Sequence, residues 1–119
     1  MIYVIKKRES TFVVEIGTEC NNNCIFCMES RKYKRKRYTR EDFERARRLF
    51  KRVNFSRKEP TLRPELLDYV KIAKEMSFER IELTTNGRML SVKSFAEKLV
   101  DAGVNVFQVS FHALDRQLY

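Results

Sequence analysis

The amino-acid sequence predicts an α/β protein of about four parallel strands joined by crossover helices. Three observations carry this. Hydrophobic residues make up 43% of the 119 positions, enough for a globular core. Short β-branched or aromatic runs alternate with stretches of helical spacing, in the order β, α, β, α, β, α, β. No internal repeat or low-complexity linker interrupts the series, and such alternation implies right-handed crossovers into a parallel sheet.

The first strand is the run T-F-V-V-E-I at 11–16, and I-Y-V-I at 2–5 suits a further short strand before it. A cysteine loop over 18–30 and a basic loop over 31–40 follow. Thr39 opens T-R-E-D, a helix-start signature with Asp42 three residues on. Phe43, Ala46, Leu49, Phe50 and Val53 then recur near helical spacing. V-N-F at 53–55 marks a second strand, and Pro64 suits the first turn of the next helix, whose apolar face is Leu66, Val70 and Ala73. R-I-E-L-T-T at 80–85 alternates as a third strand and ends at the turn pair Asn86-Gly87. Ser94 and Glu97 form a capping box for a helix with Phe95, Ala96, Leu99 and Val100 on its apolar face, stopped by Gly103. V-N-V-F-Q-V-S-F at 104–111 is the fourth strand.

The net charge of +9 is local. Residues 31–40, R-K-Y-K-R-K-R-Y-T-R, hold seven basic residues and no acidic one, and the rest of the chain has 18 basic against 16 acidic residues. Three readings of this run stand: a solvated loop, a dock for an acidic electron-donor protein, or a contact for RNA or another polyanion. No apolar run approaches the roughly 20 residues of a membrane-spanning helix. The N-terminus has no signal-peptide pattern, so a cytoplasmic protein without a membrane partner is expected. A βα unit takes roughly 30 residues, so this length supplies about four. An apolar fourth strand without its own covering helix then leaves an open edge. Either the chain is truncated, or a second copy or a partner covers that edge.

All three cysteines fall within C-N-N-N-C-I-F-C at 20–27. An odd count so closely spaced is a poor disulfide framework. Soft thiolates at i, i+4 and i+7 suit zinc, copper(I) or an iron–sulfur cluster. Closed structural zinc sites and ferredoxin clusters use four ligands. A cubane held by three cysteines keeps one iron open. The alternatives are a zinc site completed by His112, the only histidine, and inert buried thiols.

C-x-x-x-C-x-x-C with an aromatic residue before the last cysteine, here Phe26, resembles the cluster motif of the radical S-adenosylmethionine superfamily. Three further segments resemble that family in register: N-F-S-R-K-E-P-T-L-R-P-E-L at 54–66, T-T-N-G at 84–87 and S-F-H-A-L-D at 110–115. The resemblance implies the N-terminal half of a partial (βα) barrel, so that 1–119 is a single, incomplete core domain. It implies that Cys20, Cys24 and Cys27 ligate a 4Fe–4S cluster whose fourth iron binds S-adenosylmethionine. Reductive cleavage of that cofactor gives a 5′-deoxyadenosyl radical, which abstracts hydrogen from a substrate. It also implies an electron donor such as a flavodoxin or ferredoxin.

By the same resemblance, Phe26 packs near the adenine, with packing the cluster loop as its plainer role, and segment 57–59 meets the methionine amino group. Asn86 ends the third-strand motif, with forming the turn before Gly87 as its plainer role. Ser110 contacts the ribose or carboxylate, or is simply a small inward-facing residue. The chain departs from the family where Arg57-Lys58-Glu59 replaces Gly-Gly-Glu. Both glycines are lost and two positive charges gained beside a sulfonium cation. Glu59 keeps its place, as an acidic partner for the ammonium or as a helix N-terminal carboxylate. The alternatives to a radical enzyme are a relic domain that keeps its cluster loop without catalysis, and a small zinc- or nucleic-acid-binding module.

Overall fold

The computed structural model describes residues 10–17 and 37–110. The elements are β1 (Thr11–Glu15), α1 (Arg40–Leu49), β2 (Arg52–Ser56), α2 (Leu66–Glu75), β3 (Arg80–Thr85), α3 (Lys93–Ala102) and β4 (Val106–Val109). Short 3-10 turns, Pro60–Leu62 and Arg88–Ser91, precede α2 and α3. The expected strand at 2–5, the cysteine loop 18–30, most of the basic run and the segment after Ser110 lie outside the described residues.

The four strands form one sheet in chain order, β1-β2-β3-β4, with every neighbouring pair parallel. The register aligns Phe12 with Val53 and Ile81, and Val14 with Phe55, Leu83 and Phe107. Because side chains alternate along a strand, these rows share one face. Val14, Val53, Phe55, Ile81 and Leu83 are buried there with Phe43 of α1, Leu66 and Val70 of α2, and Leu99 of α3. The opposite face carries Val13, Asn54, Glu82 and Val106 in one row and Thr84 beside Gln108 in the next. Val13 on that face is 46% exposed. Helices on one face and a more polar opposite face are the architecture of a barrel wall, the fold class expected from the alternation.

The start of α1 follows the sequence signature. Thr39 Oγ1 accepts from the Asp42 backbone N–H at 3.2 Å, and Asp42 Oδ2 accepts from the Thr39 N–H at 2.8 Å. Tyr38 and Arg40, at the end of the basic run, are tied into the fold. The Tyr38 hydroxyl accepts from the Glu15 N–H at 2.9 Å, and the Tyr38 N–H donates to the Tyr69 hydroxyl at 3.1 Å. The Tyr38 ring meets Phe12 and Phe43 edge-on, and Arg40 pairs with Glu75.

Three local expectations are corrected. Ser94 does not cap α3. The helix is capped at Val92, whose carbonyl accepts from the N–H groups of Phe95 and Ala96 at 3.1 Å. The turn that follows Gly87 delivers the chain into helical geometry early, leaving Ser94 inside the first turn. Pro64 lies ahead of α2 rather than within it, because it sits in a separate turn closed by the Leu66 N–H on the Arg63 carbonyl at 3.2 Å, and the helix begins only at Leu66. Val100 and Leu49, expected on apolar faces, are exposed, since each helix shows the sheet a stripe narrower than its run of apolar residues. Among the described residues no helix is long and apolar enough to cross a membrane.

Candidate functional site at the carboxyl ends of the strands

Parallel α/β folds place their sites beyond the carboxyl ends of the strands. Here that edge is formed by Ile16-Gly17 after β1, Arg57–Glu59 after β2, Asn86-Gly87 after β3 and Ser110 after β4. Pairing continues past the strands proper. The Ile16 N–H donates to the Ser56 carbonyl at 3.1 Å, and the Ser110 N–H donates to the Thr85 carbonyl at 3.0 Å. Ser110 is thus fixed by its backbone beside the end of β3.

The turn after β2 keeps the path that two glycines permit. Arg57 has φ 80° and Lys58 φ 53°, left-handed conformations that disfavour side chains by about 1–2 kcal/mol each. The surroundings enforce this turn. A Cβ on Gly17 would lie 1.8 Å from the Arg57 carbonyl oxygen, so the end of β1 is pressed backbone to backbone against it. Gly17 belongs to the site and was not singled out from sequence, although a glycine closing a strand three residues before the first cysteine was a usable signal.

Glu59 joins two of the family-like segments. It is fully buried. Its Oε2 accepts from the Thr61 N–H at 3.3 Å, from the Thr61 hydroxyl, and from the Thr85 hydroxyl at 2.5 Å. Its Oε1 accepts from the Asn86 N–H at 2.7 Å. The Thr85 hydroxyl oxygen in turn accepts from the Gly87 N–H at 3.1 Å. Four donors converging on an acceptor-only group satisfy the hydrogen-bonding that burial demands. Glu59 caps the 3-10 turn and pins the turn after β2 to the turn after β3. Asn86 contributes its backbone to Glu59 and, through Oδ1, accepts from the Arg88 N–H at 3.0 Å, closing a turn around Gly87 at φ 85°.

On the more polar face, Arg57 Nε lies 3.3 Å from Glu15 Oε2. Below this pair a hydrogen-bonded row crosses the sheet. Asn54 Nδ2 donates to Glu82 Oε2 at 3.2 Å and to Thr84 Oγ1 at 3.0 Å, and Thr84 Oγ1 donates to Gln108 Oε1 at 3.3 Å. Glu82 is buried and is also paired with Arg80 Nε at 2.6 Å. A separate groove of about 620 Å³ between α2 and α3, lined by Lys71, Lys74, Lys98 and Asp101 among others, shares no residue with this edge.

The structure therefore brings Arg57, Lys58, Glu59, Asn86 and Ser110 to one edge of the sheet. Cys20, Cys24, Cys27 and Phe26, with His112, lie outside the described residues. Among the described residues no cluster of His, Cys, Asp or Glu is arranged to hold a metal ion.

Comparison with known proteins gives a consistent picture. The chain is 31% identical over 112 residues to a probable GTP 3′,8-cyclase of Thermoplasma volcanium, covering 89% of this chain and 34% of the relative. It is 27% identical over 116 residues to the 7,8-dihydro-6-hydroxymethylpterin dimethyltransferase of Methanocaldococcus jannaschii, covering 89% and 23%. The crystal structure of BtrN in an open conformation superposes with a TM-score of 0.69 at 25% identity, over 91% of this chain and 52% of that one. The chain thus spans about a quarter to a third of these curated relatives and about half of the BtrN chain. Residues 14–119, from the second half of β1 onward, match the family model of the radical SAM superfamily, and the chain belongs to that superfamily.

Proposed function

We infer that this chain supplies the cluster-binding and cofactor-binding half of a radical S-adenosylmethionine enzyme. The observation that carries this reading is the gathering of the turn 57–59, Asn86 and Ser110 on one sheet edge, with the buried Glu59 tying the turn to Thr85 and Asn86 and the Ser110 N–H donating to the Thr85 carbonyl. The residues fit the group. The chain leaves β1 at Gly17, three residues before Cys20, a reach of about 11 Å at most. Three thiolates on a short loop suit a cluster that keeps one iron open. When bound, the 4Fe–4S cluster supplies the electron that cleaves S-adenosylmethionine into methionine and a 5′-deoxyadenosyl radical.

Cys20, Cys24 and Cys27 would hold the cluster, with Phe26 packed against the adenine. The backbone of 57–59 would meet the methionine amino group, a role supported by the glycine-like path of Arg57 and Lys58. Ser110, fixed beside Thr85, would reach the ribose or carboxylate. Both oxygens of Glu59 receive donors from within the chain, so its contribution is to hold that backbone in place. The hydrogen-bonded row Asn54–Thr84–Gln108 supports a polar substrate, in keeping with relatives named for GTP and for a pterin. The run 31–40 would dock an acidic reductant of the flavodoxin or ferredoxin kind.

Anaerobic reconstitution with iron and sulfide analysis tests the site. Roughly four irons per chain are expected, lost when Cys20, Cys24 or Cys27 becomes alanine. One tightly held zinc, lost on His112→Ala, would overturn the assignment. A cluster-bearing domain without catalysis is the second reading, favoured by the charges of Arg57 and Lys58. Formation of 5′-deoxyadenosine from the reduced protein separates the two.

A further inference from the structure

Two positive side chains, Arg57 and Lys58, stand where the family carries glycines, at the turn that would meet S-adenosylmethionine, whose sulfonium is itself a fixed cation. Arginine does not lose its charge in proteins, so only an acidic partner can offset it. Arg57 has one. Its Nε lies 3.3 Å from Glu15 Oε2, with the two side chains 32% and 30% exposed. Glu15 is the last residue of β1, opposite Ser56, and its backbone N–H is held at 2.9 Å by the Tyr38 hydroxyl. The pair bridges the two strand ends that meet at Gly17, immediately before the chain enters the cysteine loop.

We propose that Glu15 is a positioning residue for the cofactor, one that holds and neutralises the Arg57 guanidinium so that the turn 57–59 can accept a sulfonium cation. The proposal rests on the functional reading above, that S-adenosylmethionine binds at these strand ends. In this account Glu15 compensates for the loss of the first glycine. The backbone keeps the left-handed path, and the carboxylate draws the added charge toward β1. An ion pair about one third exposed contributes little to folding stability, so the role shows in how the site discriminates ligand charge.

The test uses the full chain, anaerobically reconstituted, titrated with S-adenosylmethionine and with S-adenosylhomocysteine. The second ligand shares the adenosine and amino-acid groups but has a neutral thioether. Glu15→Gln is expected to weaken S-adenosylmethionine binding about tenfold, an effect that shrinks in high salt. Binding of S-adenosylhomocysteine should change by no more than about twofold, since little electrostatic energy is at stake without the sulfonium. Adding Arg57→Gly to Glu15→Gln should restore the affinity, and Arg57→Gly alone should bind S-adenosylmethionine at least as tightly as the parent. An unchanged affinity in Glu15→Gln, an equal loss for both ligands, or a failure of Arg57→Gly to rescue overturns the proposal. Should Glu15→Gln not fold, Arg57→Gly alone decides, because weaker S-adenosylmethionine binding in that variant contradicts the role given to the pair. A parent protein that carries its cluster and binds neither ligand overturns the functional reading and this proposal with it. A parent that binds while Glu15→Gln is indistinguishable from it overturns the proposal alone.

Discussion

Glu59 and Gly17 shape the strand-end edge, the first through its buried carboxylate and the second through its close backbone approach to Arg57. Glu59→Gln replaces an acceptor oxygen by an NH₂ group facing N–H and O–H donors. The expected cost is about 2–3 kcal/mol, read from urea unfolding, because a buried donor loses its partner. Gly17→Ala drives a methyl group into the Arg57 carbonyl and should cost about 3 kcal/mol by the same measurement. A Gly17→Ala protein as stable as the parent would mean that β1 and the turn after β2 are not pressed together. The cysteine spacing and the place of Glu59 were legible in the sequence, since both depend on residue type at fixed separation. The inward turn of Glu59 was not, because the donors that claim it come from Thr85 and Asn86, 26 and 27 residues away. Nor was the left-handed path of Arg57 and Lys58. Their residue types argue against it, and only the backbone of Gly17 across the sheet reveals why it persists.

Elements were read most reliably where a local rule coincided with burial. The capping box at Thr39 and Asp42 belongs to both sequence and structure, because its partners lie within one turn. The Ser94 box failed because a competing cap at Val92, set by the preceding turn, took over. Strand β4 runs from Val106 to Val109, starting two residues later than the strand expected from 104 onward, since pairing with β3 rather than hydrophobicity defines a strand. The α1 cap also gives a pH dependence. The Thr39 backbone N–H chiefly holds the Asp42 carboxyl below its ordinary value of 3.8, with desolvation opposing and the Thr39 hydroxyl and Arg45 assisting. A lowered folded-state value means that the stabilisation is complete above the unfolded value and is lost as pH falls through the folded one. Unfolding melts taken from pH 6 down to about pH 2 should show the parent losing part of its advantage over Asp42→Asn across this acid range. A gap between the two proteins that stays constant down to the lowest pH would contradict the cap's charge-assisted role.

At the scale of the whole molecule, the four parallel strands were recoverable from alternation alone, and membership of the superfamily from four short segments in register. The site was only partly legible, because its edge is assembled from residues between 17 and 110 that meet through sheet register rather than proximity in sequence. The sheet presents its helices to one side and a more polar face to the other, as the wall of a barrel does, and among the described residues its carboxyl edge carries Arg57, Lys58, Glu59, Asn86 and Ser110. The proposed function requires that this edge, together with the cysteine loop that follows Gly17 in the sequence, bind S-adenosylmethionine on an open iron of a three-cysteine cluster. Electron paramagnetic resonance of the anaerobically reconstituted, reduced protein, recorded with and without S-adenosylmethionine, tests it most directly. The account predicts a 4Fe–4S signal that shifts when S-adenosylmethionine is added. A cluster signal indifferent to S-adenosylmethionine, or no cluster signal at all, would contradict it.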